Sequence, residues 1–425
     1  MIKSIIFYKT LFASLIFVSL FSVPFEAVIL LSVFIFLLLI VAKKTVLSKS
    51  FFEVLAPLIL LFLIALSGIF YNNSDFIDFI KDFLYLLKPI LFLVVGYLLC
   101  KRINDRNSFL ILIVNIALVF GVVHIIECLL YIYQTSVFSI HVMRNISGRD
   151  NFLELIAIGI IIANLKNKEF KINFLKPIMI VLSISFVLYL SRTMFILLIL
   201  ISLTFSGYLR LSMKGLRYLF LSATGVILFY VYLFSIDIDR ASKSPVDNFL
   251  YKLKLAPSEI FVSKGDIDIK NHANLWDHWR AYEGNMAINQ LNEKGAVAWT
   301  FGTGMGALID LKFNAPLSDD PNGMRYISLI HNGYVFILFK TGILGLILYF
   351  LFLISNYFVY KKIKNQDYLI SNMIFGITLF YFFTTLVITG IFNLSDPITL
   401  VLGGVLFFST KAAEYSNNKI LRSGL

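Results

Sequence analysis

The chain is poor in charge and poorer still in cysteine: Asp, Glu, Lys and Arg make up 15% of 425 residues, and there are 2 Cys. Two cysteines cannot form a disulfide framework. Cys100 and Cys128 fall toward opposite ends of two successive hydrophobic runs, out of bridging reach of one another. The 5 His show no spacing with Cys that suits zinc. A Gly-Lys-Ser phosphate loop, an internal repeat, a low-complexity tract and a soluble nucleotide domain are all missing. Energy for any reaction must therefore come from a substrate or from a gradient.

Apolar residues are what the chain has in quantity: 59% are hydrophobic, 43 of them Phe. Runs near the length of a bilayer crossing recur at about 5–23, 27–42, 54–70, 83–100, 108–134, 152–165, 174–191, 193–209, 217–235, 329–358, 372–392 and 395–410. These predict an all-α polytopic membrane protein with about twelve transmembrane helices, although 152–165 and 395–410 are short for a full crossing. The first run resembles a signal peptide in length. It lacks a small-residue cleavage site before Pro24-Phe25-Glu26 and reads as a retained helix.

The basic residues fix an orientation. With a cytoplasmic N-terminus, alternate connections hold Lys3 and Lys9; Lys43, Lys44 and Lys49; Lys101, Arg102 and Arg106; Lys166, Lys168, Lys171 and Lys176; Arg210, Lys214 and Arg217; Lys361, Lys362 and Lys364; and Lys411, Lys419 and Arg422. These are 21 of the 37 Lys and Arg. The short connections of the opposite set hold Lys81, Arg144, Arg149 and Arg192, so the positive-inside bias is strong and both termini are expected in the cytoplasm. The same bias accounts for the net charge of +12 and removes the case for nucleic acid as a partner. Three regions follow: helices 1–9 over 1–235, an outward loop over 236–328, and helices 10–12 with a cytoplasmic tail over 329–425.

The outward side carries the unusual chemistry. Arg192, in the tight connection Ser191-Arg192-Thr193, stands where short loops avoid basic residues, which favours an anionic partner over simple snorkelling. Within the loop, 274–288 has apolar residues at helical spacing and predicts an amphipathic helix. Trp276 and Trp279 would anchor it among headgroups, and Arg280 pairs either with a substrate or with Asp277 or Glu283. Gly302, Gly304 and Gly306 alternate in a run that permits left-handed turns, either to bind an anion or as a plain turn. Ser318–Gly323 reads as a surface turn.

His331 is the sharpest candidate. It lies where the chain re-enters the membrane, and a neutral imidazole there can take a proton from a group arriving from water or lipid. His278, beside Arg280, is the rival. His124 reads as a buried packing residue, and Gly342-Ile343-Leu344-Gly345 as a close-packing segment.

Leu190-Ser191-Arg192-Thr193, Arg280, and His331-Asn332-Gly333-Tyr334 followed by Lys340-Thr341-Gly342-Ile343-Leu344-Gly345-Leu346 together resemble the superfamily of O-antigen ligases and Wzy-type O-antigen or capsule polymerases, over about 185–350. The resemblance implies a GT-C-like glycosyltransferase of the bacterial inner membrane. Its donor is a glycan on undecaprenyl pyrophosphate, presented on the periplasmic face, and it needs no metal and no cofactor. It also implies that Arg192 and Arg280 bind the pyrophosphate and that His331 is the base.

Asn332 and Tyr334, in the matched motif, and Gly302 and Gly304, in a looser match, are further candidate substrate contacts. Arg325 either adds charge to the site or serves the surface. The acceptor is a second lipid-linked repeat in a polymerase and the lipid A core in a ligase. The Phe-, Ile- and Lys-rich composition leans to polymerase, with a flippase and a chain-length regulator as partners. A lipid-linked-oligosaccharide transporter is the competing class, and Lys88, Glu127, Glu154 and Lys340 are the intramembrane charges it would use.

Overall fold

A computed structural model describes residues 2–21, 24–42, 46–137, 140–146, 151–189, 191–209, 213–238, 245–261, 267–268, 271–317 and 322–423. The first half is a succession of helices: α1 (Ile2–Leu20), α2 (Phe25–Ala42), α3 (Lys49–Ser67), α4 (Phe76–Ile103), α5 (Arg106–Thr135), the short α6 (Ile140–Ile146), α7 (Phe152–Asn167), α8 (Leu175–Tyr189), α9 (Arg192–Phe205) and α10 (Met213–Ser235). The polar loop holds α11 (Pro245–Leu255), α12 (Ser258–Phe261), α13 (His272–Asp277), α14 (Trp279–Lys294), α15 (Ala296–Phe301) and two strands, β1 (Ile309–Ala315) and β2 (Met324–Ile327). The chain closes with α16 (Gly333–Ile363), α17 (Tyr368–Val387) and α18 (Ile398–Ser423).

This is an all-α polytopic membrane protein. A helix lies under each of the twelve expected runs; among the described residues six are long and apolar enough to cross a membrane, five are shorter apolar helices, and α7 falls in neither group. Side-chain caps set several boundaries. Ser48, Asp75, Asp105 and Asp367 accept backbone N–H groups at the starts of α3, α4, α5 and α17, satisfying donors that a helix start otherwise leaves open.

The bundle core forms where small residues let backbones meet. A Cβ on Gly96 of α4 would lie 2.1 Å from the Leu400 carbonyl oxygen, and one on Gly403 of α18 would lie 2.2 Å from that of Leu93. Buried charges are wrapped by protein. Lys88 donates to the carbonyls of Asn393, Leu394 and Asp396, at 2.8, 2.6 and 3.1 Å, and so pins the α17–α18 connection. Lys340 is fully buried against the Asp82 carboxylate and the Ala307 carbonyl, and Gly306 N–H donates to the same carboxylate. Glu154 receives Asn151 and Tyr189, and His124 bridges Ser185 and the Met143 carbonyl while stacking on Tyr189. His124 is thus a packing residue. The charges a transporter would use at Lys88, Glu154 and Lys340 are tied to the fold.

The bundle has two chemically distinct ends. At one, Arg106 pairs with Glu169 and Asp367, Lys411 reaches Asn104, Lys101 reaches the Val46 carbonyl and Lys166 that of Ser206. These residues come from the connections that concentrate Lys and Arg. At the opposite end sit the α3–α4 connection and the described part of the polar loop that meets it.

The loop is more built than its sequence suggests. β1 and β2 form an antiparallel hairpin with Ile309 opposite Ile327, irregular between Asp310 and Ala315. It packs on α14, where Tyr282 donates to the Leu311 carbonyl at 2.5 Å. The expected turn at Ser318–Gly323 lies outside the described residues at 318–321. The amphipathic stretch is two helices, broken at His278 (φ −115°, ψ 19°). Trp279 is buried against Tyr282 and Phe313, with Trp276 packed on its ring, so it belongs to the core of the loop and does not anchor among headgroups. α10 packs on α11 and leaves Phe220, Ile227 and Val231 exposed.

Candidate functional site: two arginines on one carboxylate and a histidine–glutamate pair

Arg192 is the first residue of α9, reached by a two-residue connection from α8. A cation at a helix N-terminus is on the wrong side of the helix dipole, so a structural role alone gives it no reason to be there. Its guanidinium turns away from solvent: it donates to the Lys252 carbonyl on α11 and forks onto Glu259 of α12, at 3.1 and 3.0 Å to Oε1 and 3.3 Å to Oε2. This is an engaged arginine and not a snorkelling one.

Arg280 comes from the first turn of α14 and reaches the same carboxylate, with Nη1 3.2 Å from Glu259 Oε2. Neither Asp277 nor Glu283 takes that place; Asp277 accepts from Tyr251 at 3.2 Å. The structure therefore brings Arg192 and Arg280 together around one anion. Arg144 and Lys252 add positive potential. Burial, together with Arg192 and Arg144, pushes the Arg280 guanidinium's pKa down while Glu259 opposes the shift, and burial followed by Arg144 and Arg192 lowers that of Lys252. Two guanidinium groups thus share the one carboxylate of Glu259.

One turn along α14 from Arg280, Glu283 lies on the same helix face. Its side chain is 3% exposed, and Oε2 accepts both the backbone N–H of His331, at 3.1 Å, and the imidazole Nδ1, at 2.8 Å. A carboxylate can only accept, so Nδ1 carries the proton and the lone pair sits on Nε2. The His331 side chain is 46% exposed. Buried carboxylate, fixed tautomer and open second nitrogen are what a general base requires. The rival His278 has its Nδ1 2.9 Å from the Asn274 carbonyl of its own turn.

The rest of the His331-Asn332-Gly333-Tyr334 motif holds the histidine in place. Asn332 caps α16, accepting from the Tyr334 and Val335 N–H groups at 3.1 and 3.2 Å. Gly333 N–H donates to the Ile388 carbonyl, and a Cβ there would meet Thr385 and Thr389 at 2.9 to 3.0 Å. Tyr334 donates to the Phe382 carbonyl at 2.8 Å and stacks on Phe350. Asn332 Oδ1 and the Tyr334 hydroxyl, on residues expected as substrate contacts, are thus engaged by the fold.

Arg325 does the same. It grips Asp310 across the hairpin at 2.8 and 3.0 Å, and these bonds hold the Asp310 carboxyl well below the usual range. It makes a surface pair and does not join the arginine cluster.

The glycine run is an interlock. Gly302, Gly304 and Gly306 have φ of 79°, 80° and 80°, and their N–H groups go to the Ala298 carbonyl, the Lys340 carbonyl and Asp82. The partner is a break in α16 at Gly342 (φ 65°, ψ −168°), which opens the Phe339 and Lys340 carbonyls to Thr303 and Gly304. The donors that an anion would need at Gly302 and Gly304 are already taken, so this arrangement gives their expected substrate-binding role no support. Among the described residues no group of three His, Cys, Asp or Glu side chains is placed to hold a metal ion.

Glu259, Glu283 and Arg144 are the members of the site that motif reading passes over. Arg144 does carry a signal, as one of the few basic residues in the outward short connections.

Fold and site together define a multi-pass membrane protein in which one helix of the polar loop, α14, sets Arg280 beside Arg192 and Glu259 and sets Glu283 beside His331. Residues 177–350 match the family model described as O-antigen ligase, which supports the chain's place in the O-antigen ligase and Wzy superfamily. None of the curated proteins matches the chain. The family points to a glycosyltransferase-type enzyme of lipopolysaccharide biosynthesis, acting on lipid-linked glycan and acceptor substrates.

Proposed function

We propose that the protein is a GT-C-like glycosyltransferase of the bacterial inner membrane, with twelve crossings and both termini in the cytoplasm. It moves a glycan from undecaprenyl pyrophosphate to an acceptor sugar hydroxyl on the periplasmic face, as an O-antigen or surface-polysaccharide polymerase. The observation that carries this reading is the sharing of α14 by Arg280, which joins Arg192 on one anion, and Glu283, which holds His331.

The acceptor hydroxyl attacks the anomeric carbon, and its proton passes to His331 Nε2. The bond from that carbon to the pyrophosphate oxygen breaks, and its electron pair leaves with the lipid diphosphate, whose growing charge Arg192 and Arg280 meet with bidentate bonds. Glu283 steadies the imidazolium that results. Bond energy in the donor drives the reaction, which suits a chain with no nucleotide motif.

Purified protein in lipid, given a lipid-linked repeat as its one sugar source, should build a ladder of longer chains, and His331→Ala should lose about two to four orders of magnitude in turnover. Absence of any transfer, or full turnover by His331→Ala, ends this mechanism. The same site serves a ligase, the activity in the family's description. Transfer to lipid A core without chain growth would assign that reaction.

A further inference from the structure

Glu259 is the one acid that both site arginines contact among the described residues, and its geometry copies that of a ligand. Its two oxygens sit between the guanidinium groups, Oε1 on Arg192 and Oε2 on both Arg192 and Arg280. A pyrophosphate bridging these arginines must take the same donors.

We infer that Glu259 is an internal counter-anion, seated in the pyrophosphate position when the site is empty and displaced when a diphosphate binds. The inference rests on the pyrophosphate reading above and assigns Glu259 a part in it: selection for a dianion and release of the product. Three features support it.

The first is charge. Arg192 and Arg280 put two guanidinium groups on the one carboxylate of Glu259, with Arg144 and Lys252 also within electrostatic reach and Glu283 and Asp277 the acids beside them. A monoanion exchanging with Glu259 gains nothing, whereas a diphosphate offers each of the two guanidinium groups a charged phosphate of its own.

The second is space beside the carrier. Glu259 rides on α12, four residues long, and α12 borders a cavity of about 530 Å³ whose lining includes Asp237, Tyr251, Lys254 and Ser258. A shift of one turn has empty space beside it.

The third is the chemistry of release. Loss of the glycan turns a diphosphate diester into a monoester with greater negative charge, which the arginines hold more tightly than they held the donor. A tethered carboxylate that re-enters the site competes with that product and restores turnover.

Inorganic pyrophosphate is the probe, titrated into full-length protein in lipid nanodiscs by calorimetry, with inorganic phosphate alongside. Glu259→Gln should bind pyrophosphate about tenfold or more tighter than the native protein, since a neutral amide competes poorly with an anion. The gain should vanish when Arg192→Ala is added. Glu259→Asp, too short to bridge both arginines, should fall between the two. With lipid-linked donor, Glu259→Gln should lower KM and lower kcat together, the mark of slowed product release.

A folded Glu259→Gln that binds pyrophosphate equally or more weakly makes Glu259 a fixed strut for the arginines and overturns the inference. If native binding still depends on Arg192 and Arg280, that result leaves the pyrophosphate reading standing. Pyrophosphate binding that is indifferent to both arginines removes that reading and the inference with it.

Discussion

Two sets of buried or half-buried cations are built on opposite plans. Lys340 and Lys88 lie inside the bundle, Lys88 donating to three backbone carbonyls and Lys340 to the Asp82 carboxylate and the Ala307 carbonyl, and they join segments that are distant in sequence. Arg192 and Arg280, at 18% and 28% side-chain exposure, share one carboxylate from a four-residue helix. The first plan costs desolvation that only complete pairing offsets, and the second leaves charge that a ligand can use. Pairing alone therefore does not tell a structural cation from a functional one. Access to solvent does.

The largest effect should come from breaking the interior pair. Lys340→Ala strands the Asp82 carboxylate in the bundle at a cost of about 3–5 kcal/mol. Thermal unfolding of the purified protein should show a large loss of stability, and Lys340→Met with Asp82→Asn should recover most of it. A single variant as stable as the native protein would erase the distinction drawn above.

In the site the effect should fall on rate and not on fold. Arg192→Ala or Arg280→Ala removes one contact to the developing charge, worth on the order of 3 kcal/mol or a hundredfold in turnover. Lys at either position keeps the charge without the fork and should still be impaired. Normal insertion with native polymer yield from both Ala variants would reduce these arginines to interface anchors.

Glu283→Gln comes next. Gln can still meet Nδ1 but cannot stabilise the imidazolium, so kcat should drop roughly tenfold or more with KM little changed. A change confined to KM would show that Glu283 serves binding. Arg325→Ala should be the mildest, leaving turnover within roughly twofold because its partner is an exposed hairpin residue. A loss comparable with that at Arg280 would bring Arg325 into the site after all.

Local signals were readable from the sequence. Hydrophobic runs locate the twelve helices, and short motifs pick out Arg192, Arg280 and His331 because each stands beside its own diagnostic neighbours: a tight turn, an aromatic pair, a helix mouth. Residues whose role arises from distant contact carry no such mark. Glu259 is 67 positions from Arg192 and 21 from Arg280, a separation no periodicity connects. Glu283 looked like a partner for Arg280, three residues away, until the returning chain brought His331 to it from 48 residues on. The hairpin was missed because its strands are short and bulged, and Trp279 was misplaced because an aromatic near a membrane reads equally as headgroup anchor or as core of a folded loop.

The crossing of Gly302 and Gly342 sets a rule for grafting. A Cβ on either residue would lie 2.2 to 2.3 Å from the other segment's backbone, so the two stretches fit as one moulded joint. Exchanging the polar loop between relatives would split that joint if the splice fell near 328. A chimera cut before 236 and after Gly345 carries both halves of the joint together, and that longer cassette is the unit to exchange.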